Sequence, residues 1–314
     1  MTTKTPALAI DETMSLPING SQQRIRLCAM RTGLPPLLIV QHGPGFPLLH
    51  EVGKFRRRLD LERDHAVVYW EQRGCGNASA DEARRVSLAQ QIDDLQAVLR
   101  WVADRTRRPI LLFGVSVGAT MALLAAARDG ERVRAVIANS PDLRTRDGDQ
   151  AVNAFLQERV RRAGTPRLRR ALATLGPPPY LDPRTFRRRA VLLAEFGTIE
   201  RGKTFHASFR ETLAAMIRCY GIVGTVKALR NLNIIQRRML ADMAPLDLLA
   251  RPPQIAAPVH FVFGEQDVLT AAFMSNELPG RIGGPGTTAV RVPDAGHLVH
   301  FDRPDVVRSI TDLA

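Results

Sequence analysis

The residues with the clearest chemical potential are one serine, one aspartate and one histidine, which follow one another as Ser116, Asp267 and His297. A serine hydroxyl becomes a nucleophile when a histidine takes its proton, and a carboxylate holds that histidine in the required tautomer. Ser116 is the centre of a G-x-S-x-G motif at residues 114–118, between an apolar run and a run of small residues. This pattern predicts a strand, a sharp turn that exposes the serine Oγ, and a helix.

The histidine and the aspartate each follow a predicted strand. Asp267 comes after the apolar run at residues 259–263, and His297 comes after the run at residues 289–292. The C-terminal ends of parallel strands meet at one edge of a sheet, where ligand sites gather. We therefore expect both side chains to lie close to Ser116.

Each of these assignments has an alternative. His300 is the alternative base, although its position next to the closing helix favours a packing role. Asp142 follows another predicted strand and is the alternative acid. Without a catalytic role, Asp267 would be a helix cap at the end of a strand.

A second element of this chemistry is a pair of donors for the negative charge that develops on the substrate oxygen. One donor is expected to be the N–H of Val117, directly after the serine. The other is expected in the loop at residues 41–45, which reads Q-H-G-P-G after a predicted strand. Pro44 has no N–H, so Gly43 is the expected donor.

Alternating strands and helices must position these residues. Residues 8–30 predict a β-hairpin, because apolar-alternating runs flank Asn19-Gly20, the strongest two-residue turn signal. Helical spacing covers residues 87–104, and a last helix begins at about residue 304. Further short apolar runs predict strands at 37–40, 66–70, before the serine turn, and at 133–138. The alternation predicts a mostly parallel sheet covered by helices on both faces.

The pattern changes between residues 141 and 258, where no strand-like run occurs and glycines and prolines separate helical segments, with one break at Gly221. We predict a core in two parts, residues 1–141 and 256–314, with an all-helical cap at 142–255. Residues 142–256 hold 21 Arg and Lys against 10 Asp and Glu, a net charge of +11. A solvated helical surface explains this excess best, and an inner face that attracts an anionic substrate is the alternative.

Composition limits the partners. Of the 44 basic residues behind the net charge of +13, only four are lysines, and no nucleic-acid motif is present, so we expect no nucleic-acid partner. The uncharged run at residues 109–127 has two glycines, a serine and a threonine at its centre, which argues against a membrane span. Three scattered cysteines and no visible signal peptide lead us to expect a cytoplasmic protein without a membrane partner, metal or cofactor.

Taken together, these motifs resemble the proline iminopeptidase-like branch of the α/β-hydrolase superfamily. Residues 41–45 are similar to its H-G-G-P-G loop and residues 71–76 to its D-Q-R-G-x-G loop, and the resemblance covers residues 30–141 and 256–314. It implies an α/β-hydrolase fold, with a mostly parallel central sheet flanked by helices and an all-helical cap insertion. It also implies a catalytic triad and an oxyanion hole made by the residues chosen above: Ser116, Asp267 and His297, with Gly43 and Val117. Within residues 71–76, Arg73 is expected to be scaffold.

The chain departs from that family at several positions. Gln41 and His42 stand where the family has His and Gly, Val117 replaces a tryptophan, and Glu71 replaces an aspartate. The cap contains no tryptophan, so the family's W-x-x-W-E motif, whose glutamate helps to bind a substrate amine, is missing. Four cap glutamates are present without a match to that motif: Glu158, Glu195, Glu200 and Glu211.

The expected function is therefore a serine hydrolase that acts on an ester, amide or lactone of a small-molecule or short-peptide substrate. A proline iminopeptidase-type aminopeptidase is one alternative. A non-hydrolytic acyl-transfer enzyme or cyclase, or a ligand-binding member of the same fold, is the other. Because the cap is net positive, we expect neutral or acidic acyl substrates to be preferred over free N-terminal prolyl amides.

Overall fold

An eight-stranded sheet forms the centre of the molecule in the computed structural model, which describes residues 8–270 and 278–314. The strands run in the order β1-β2-β4-β3-β5-β6-β7-β8. They are β1 Ile10–Ile18, β2 Ser21–Ala29, β3 Pro36–Val40, β4 Ala66–Glu71, β5 Ile110–Val115, β6 Val133–Asn139, β7 Val259–Gly264 and β8 Thr288–Val292. β1 and β2 pair antiparallel with each other, as do β2 and β4, and every later pair is parallel. The predicted mostly parallel sheet is confirmed.

The antiparallel edge is the predicted hairpin. Asn19 and Gly20 both have positive φ, 45° and 76°, and join strands whose register places Ile18 opposite Ser21. A two-residue turn with positive φ at both positions matches the twist of the strands that it connects. The local turn chemistry therefore explains why the chain reverses here.

Helices cover both faces of the sheet. They are α1 Val52–Leu59, α2 Ala80–Arg84, α3 Leu88–Thr106, α4 Val117–Arg128, α5 Thr145–Ala163, α6 Pro166–Leu175, α7 Pro183–Glu195, α8 Phe205–Met243, α9 Leu278–Arg281, α10 Val299–Asp302 and α11 Pro304–Leu313. Successive strand residues point to opposite faces. Leu38 and Val40 of β3 accordingly join an apolar cluster with α3 and α4, while Leu37 and Ile39 join the cluster that contains α1 and α11.

Four helices, α5 to α8, lie between β6 and β7, inside the segment that the sequence predicts to be a helical cap. The predicted break at Gly221 is confirmed: with φ 69° and ψ 175° this residue is outside the helical region and separates two helical segments, which are described together here as α8. The cap boundaries at 141/142 and 255/256 stay a prediction.

Helix α8 is held against the core along its second half. The Asn231 side chain donates to the Ala78 carbonyl at 2.9 Å, and the Asp242 carboxylate accepts from the Leu88 N–H at 2.8 Å. Ile235 is fully buried in the main apolar cluster. By length and composition α8 could also cross a membrane, but a core helix of a soluble protein meets those two criteria equally well. The cytoplasmic location stays a prediction.

The loop after β4 also connects separate elements of the fold. Arg73 binds both oxygens of Asp94, at 2.7 and 2.9 Å, and donates to the carbonyls of Ile18 and Asn19 at 3.2 and 3.0 Å. It thereby fastens this loop to α3 and to the hairpin turn. Its contacts are those of the scaffold residue that was expected.

Glu71, the residue that replaces the family aspartate, is buried and accepts hydrogen bonds from the Tyr220 hydroxyl of α8 and, at 3.2 Å, from the Leu49 N–H. Burial raises the pKa of Glu71, and these hydrogen bonds oppose that shift. The substitution therefore joins the core to the cap at this position.

Candidate active site

The serine turn has the geometry that the motif predicts. Ser116 lies between β5 and α4 with φ 55° and ψ −126°, a conformation that non-glycine residues rarely adopt. Its N–H donates to the Asn139 carbonyl at 2.8 Å, which attaches the turn to β6. The strained backbone places the serine at the beginning of a helix, at the C-terminal edge of the sheet.

The two glycines of the motif allow this turn because the neighbouring backbone is too close for side chains. A Cβ at Gly118 would lie 2.2 Å from the Val40 carbonyl oxygen, and one at Gly114 would lie 2.4 Å from the Ala119 Cα. Both contacts are with backbone atoms, which cannot move aside without shifting the sheet or the helix. The motif therefore reflects the close approach of β3, β5 and α4.

His297 and Asp267 form a hydrogen-bonded pair. The His297 Nδ1 lies 2.8 Å from the Asp267 Oδ2, and Asp267 is 1% exposed. The aspartate also accepts from the Thr270 hydroxyl at 2.7 Å and from the Leu269 N–H at 2.9 Å. Burial pushes the pKa of Asp267 up, but His297 and the hydrogen bonds outweigh burial and hold the pKa below its usual value.

A cavity of about 390 Å³ brings the predicted site residues together between the sheet edge and the cap. Ser116 and His297 line it, together with Gly43 and Val117. Asp267 reaches the same place through its hydrogen bond to His297. Val117 is the first residue of α4, and the first N–H groups of a helix have no acceptor within it. The arrangement presents a hydroxyl, an imidazole and N–H donors to one space.

The alternative base has a different environment. His300 is fully buried, with its Nδ1 3.1 Å from the Asn139 Oδ1 and its ring stacked 5.3 Å from that of Phe55. Burial lowers the pKa of His300 well below its usual value. These contacts are those of a core residue.

The alternative acid, Asp142, also lines the cavity, but its hydrogen bonds are separate from those of Asp267 and His297. The Asp142 Oδ2 is 2.9 Å from the Thr145 hydroxyl, and its Oδ1 has no hydrogen-bond partner among the described residues. Its N–H donates to the Thr120 hydroxyl at 3.1 Å, which ties it to the first turn of α4. Burial raises the pKa of Asp142 to about 6. The structure therefore pairs His297 with Asp267, and Asp142 has no ion pair with a described residue.

His42, a departure from the family pattern, also lines this cavity. Its ring stacks on that of Phe46 with centroids 4.9 Å apart, and its Nδ1 is 3.6 Å from the Glu51 Oε2. Burial lowers the pKa of His42, which favours the neutral imidazole beside Gly43.

Of the four cap glutamates, which all lie in the described part of the chain, Glu200 is the one that lines this cavity. Its carboxylate is paired with Lys54 at 2.9 Å and with Lys203 at 3.1 Å. The other three are also bound to cations: Glu158 to Arg161 and Arg162, Glu195 to Arg167, and Glu211 to Lys203, which it shares with Glu200. The Glu200 carboxylate therefore faces the cavity already paired with cations.

A second cavity, of about 760 Å³, shares His42, Phe46 and Glu200 with the first. Its wall includes basic residues from both the core and the cap: Arg26, Arg57, Arg58 and Arg218. Within residues 8–270 and 278–314, no three His, Cys, Asp or Glu side chains are grouped as metal ligands.

Sequence reasoning missed two threonines, Thr270 and Thr145, each three residues after an aspartate at a strand end. The D-x-x-T spacing is a readable signal, because a hydroxyl three residues on can return to the carboxylate. It also missed Asn139, whose side chain donates to the His297 carbonyl at 3.2 Å and thereby holds the histidine loop.

Comparison with known proteins identifies one family by sequence and a group of solved structures with the same fold. The profile of the alpha/beta hydrolase family matches residues 37–310. No match is found among curated proteins by sequence.

Solved structures share the fold over nearly the whole chain. Proline iminopeptidase from Mycobacterium smegmatis is 17% identical with a TM-score of 0.63, covering 96% of this chain and 97% of that one. E-2-(acetamidomethylene)succinate hydrolase is 20% identical with a TM-score of 0.60, covering 96% and 98%. The enol-lactonase from Burkholderia xenovorans LB400 is 19% identical with a TM-score of 0.59, covering 95% and 98%. At these identities the similarity establishes the fold alone.

Proposed function

The chain belongs to the alpha/beta hydrolase family, and we propose that it is a serine hydrolase that cleaves an ester, amide or lactone through an acyl-enzyme on Ser116. The family match confirms the superfamily that the sequence motifs resemble and the predicted fold. The observation that carries the proposal is the 2.8 Å hydrogen bond between His297 and Asp267, beside a cavity that His297 shares with Ser116.

In the proposed reaction, His297 Nε2 takes the proton of the Ser116 hydroxyl as Oγ forms a bond to the substrate carbonyl carbon. The carbonyl oxygen becomes an oxyanion, which accepts hydrogen bonds from the N–H groups of Gly43 and Val117. His297 then gives its proton to the leaving alcohol or amine as that bond breaks. A water attacks the acyl-enzyme in the same way, and Ser116 regains its proton.

Asp267 supports both halves of this cycle. Its hydrogen bond to Nδ1 requires the proton on that nitrogen, so Nε2 is left free to act as the base. Its low pKa keeps it ionised beside the imidazolium that forms in each transition state. Its role is therefore to orient and stabilise His297, and the carboxylate itself takes no proton.

The substrate class follows from the walls of the cavity. Most cap residues on that wall are apolar, including Leu193, Leu213, Met216 and Leu232. Of the carboxylates on that wall, Glu200 is paired with two lysines and Asp149 with Arg189, and burial disfavours the charged form of Asp142. We infer that neutral or acidic acyl groups are preferred over free prolyl amides. Faster turnover of proline-β-naphthylamide than of a neutral ester, lost in Glu200→Gln, would restore the aminopeptidase alternative.

The test is turnover of p-nitrophenyl acetate and butyrate by the wild type, Ser116→Ala and the matched control Ser309→Ala. We expect Ser116→Ala to lose about 10⁴-fold or more in kcat, because the residual rate comes from binding and oxyanion donors alone. Ser309 is exposed on α11, so its variant should match the wild type.

A fluorophosphonate probe distinguishes the alternatives. An activated serine becomes labelled in the wild type and not in Ser116→Ala, whereas a ligand-binding member of the fold is labelled in neither. Product analysis with a competing amine or alcohol then separates hydrolysis from acyl transfer. Equal turnover by the wild type and Ser116→Ala would overturn the proposal.

A further inference from the structure

Exposed apolar side chains are concentrated on one helix. Among the residues that the structure describes, six large apolar side chains are exposed, and five of them belong to α8. Four lie close to the kink at Gly221: Ile217 at 40%, Ile222 at 72%, Val223 at 71% and Val226 at 63% exposure. We call these four residues the α8 patch. Soluble surfaces carry single apolar side chains without consequence, but a contiguous group marks an interaction site.

The charged residues along α8 on either side of the patch have one sign. From residue 212 to residue 241 the chain has five basic residues and no acidic one. Arg218, Lys227 and Arg230 are exposed, and they lie within four residues of the patch along the helix. A surface with this composition attracts an anionic partner and repels a second copy of a chain whose net charge is +13.

The shape of the patch favours a lipid surface over a folded acidic protein. Its side chains are aliphatic and protrude from the helix, whereas protein interfaces are enriched in tyrosine and tryptophan anchors. After the kink, Val223, Val226 and Lys227 fall on one helical face that continues to Arg230. An apolar stripe with lysine and arginine beside it is the pattern of helices that lie in the interface of an anionic bilayer.

We propose that the α8 patch docks this protein on an anionic membrane surface, with Ile222, Val223 and Val226 entering the acyl boundary and Arg218, Lys227 and Arg230 contacting headgroups. This docking differs from a membrane span, because the opposite side of α8 is packed against the core. It is opposed to the expectation, drawn from the sequence, that the protein has no membrane partner, and the experiment below decides between the two.

The patch adjoins the substrate route. Arg218 lines the second cavity, which shares walls with the cavity that contains Ser116. A docked molecule would therefore present that opening close to the bilayer. This consequence rests on the proposed function, whereas the docking itself does not.

The test is co-flotation with vesicles of phosphatidylcholine alone or with 30% phosphatidylglycerol, at low and high salt. The variants are Ile222→Ser/Val223→Ser for the apolar part and Arg218→Gln/Lys227→Gln for the charges. Leu313→Ser removes an equally exposed aliphatic side chain on α11, and Arg105→Gln removes an exposed charge on α3. Thermal unfolding checks that each variant is folded, and turnover of soluble p-nitrophenyl butyrate is measured separately.

We expect the wild type to bind the anionic vesicles, and each α8 double variant to lose about tenfold or more in partition coefficient. The two control variants should bind as the wild type does, and high salt should weaken binding.

Three outcomes would overturn the proposal. These are no binding to anionic vesicles, equal binding by Ile222→Ser/Val223→Ser, or a dimer in light scattering that this variant dissociates. Equal binding would mean non-specific adsorption of a basic protein, and a dissociating dimer would assign the patch to contacts between copies. Because the soluble ester is measured separately, failure of docking is distinguishable from failure of the serine hydrolase assignment.

Discussion

Two carboxylates at neighbouring strand ends share a local motif and differ in almost everything else. Asp142 follows β6 and Asp267 follows β7, and each has a threonine three residues later whose hydroxyl lies 2.9 or 2.7 Å from its Oδ2. Yet the pKa of Asp142 is raised to about 6 by burial, whereas the pKa of Asp267 is held below its usual value. The same short motif therefore produces opposite electrostatics.

The difference comes from partners outside the motif. Asp267 faces His297 and the Leu269 N–H, which favour the charged form. Asp142 has neither, and its Oδ1 is without a partner among the described residues. Arg189, whose charge favours ionised Asp142, already forms a buried ion pair with Asp149. A strand end positions a carboxylate, and the residues packed around it decide whether it carries charge.

The single hydroxyl proton of Thr145 is consistent with the raised pKa of Asp142. Its hydroxyl lies within hydrogen-bond distance of both the Asp142 Oδ2 and, at 3.1 Å, the Met243 carbonyl, but it has a single proton. When Asp142 is protonated, it can donate to Thr145, and Thr145 can donate to Met243. Ionised Asp142 must compete with that carbonyl for one proton.

The largest expected difference between the two aspartates is in catalysis. Asp267→Asn should lower kcat on p-nitrophenyl butyrate on the order of 10⁴-fold, because an amide donor stabilises the wrong tautomer of His297. Asp142→Asn should lower it by less than about tenfold, because the carboxylate does not contact that imidazole. Steady-state kinetics on both variants measures this. A loss in Asp142→Asn as large as that in Asp267→Asn would show that both acids serve the histidine.

The next effect is on stability, with opposite signs at the two sites. Because the pKa of Asp142 is raised in the folded state, its ionisation costs stability at every pH above its pKa in the unfolded chain, and the full cost is reached above about pH 6. Asp142→Asn should therefore stabilise the protein at pH 8 by about 1–2 kcal/mol. This gain should shrink as the pH falls from 6 towards 4. Because the pKa of Asp267 is lowered in the folded state, its ionised form contributes stability at every pH above its pKa in the unfolded chain. Asp267→Asn should therefore destabilise the protein at pH 8, and less so below pH 4.

Urea denaturation at pH 8, pH 4.5 and pH 3 gives the free energy of unfolding of each variant relative to the wild type. Asp93→Asn, on the exposed face of α3, is a matched control for loss of a carboxylate. A destabilised Asp142→Asn at pH 8 would contradict the contrast between the two sites.

The smallest effect tests the two threonines directly. Thr270→Val removes one of the hydrogen bonds that keep Asp267 ionised, and should lower kcat by roughly fivefold, the equivalent of about 1 kcal/mol. Thr145→Val removes the corresponding hydroxyl at Asp142 and should change kcat by less than about twofold. Thermal unfolding checks that both variants fold. Because valine has nearly the same volume as threonine, packing is retained in both variants, and equal losses of kcat would mean that the two hydroxyls matter equally, against the contrast between the two aspartates.

Much of the fold and the grouping of the site could be predicted because the signals are local. Asn19-Gly20 specifies a hairpin through the φ values that it tolerates, and the glycines around Ser116 specify a turn that brings strand and helix backbones together. The order of strands along the chain placed Asp267 and His297 at the edge of the sheet where they are found. The catalytic roles of these residues stay predictions that the kinetic variants test.

What the sequence by itself determined was therefore the turn chemistry, the alternation of elements and the residue types at the strand ends. Only the tertiary structure decided which carboxylate faces His297 and that Glu200 is paired with Lys54 and Lys203. It alone also decided that Ile222 and Val223 remain uncovered. The physical reason is that charge state and burial depend on side chains brought together from distant parts of the chain, and no local pattern records those neighbours.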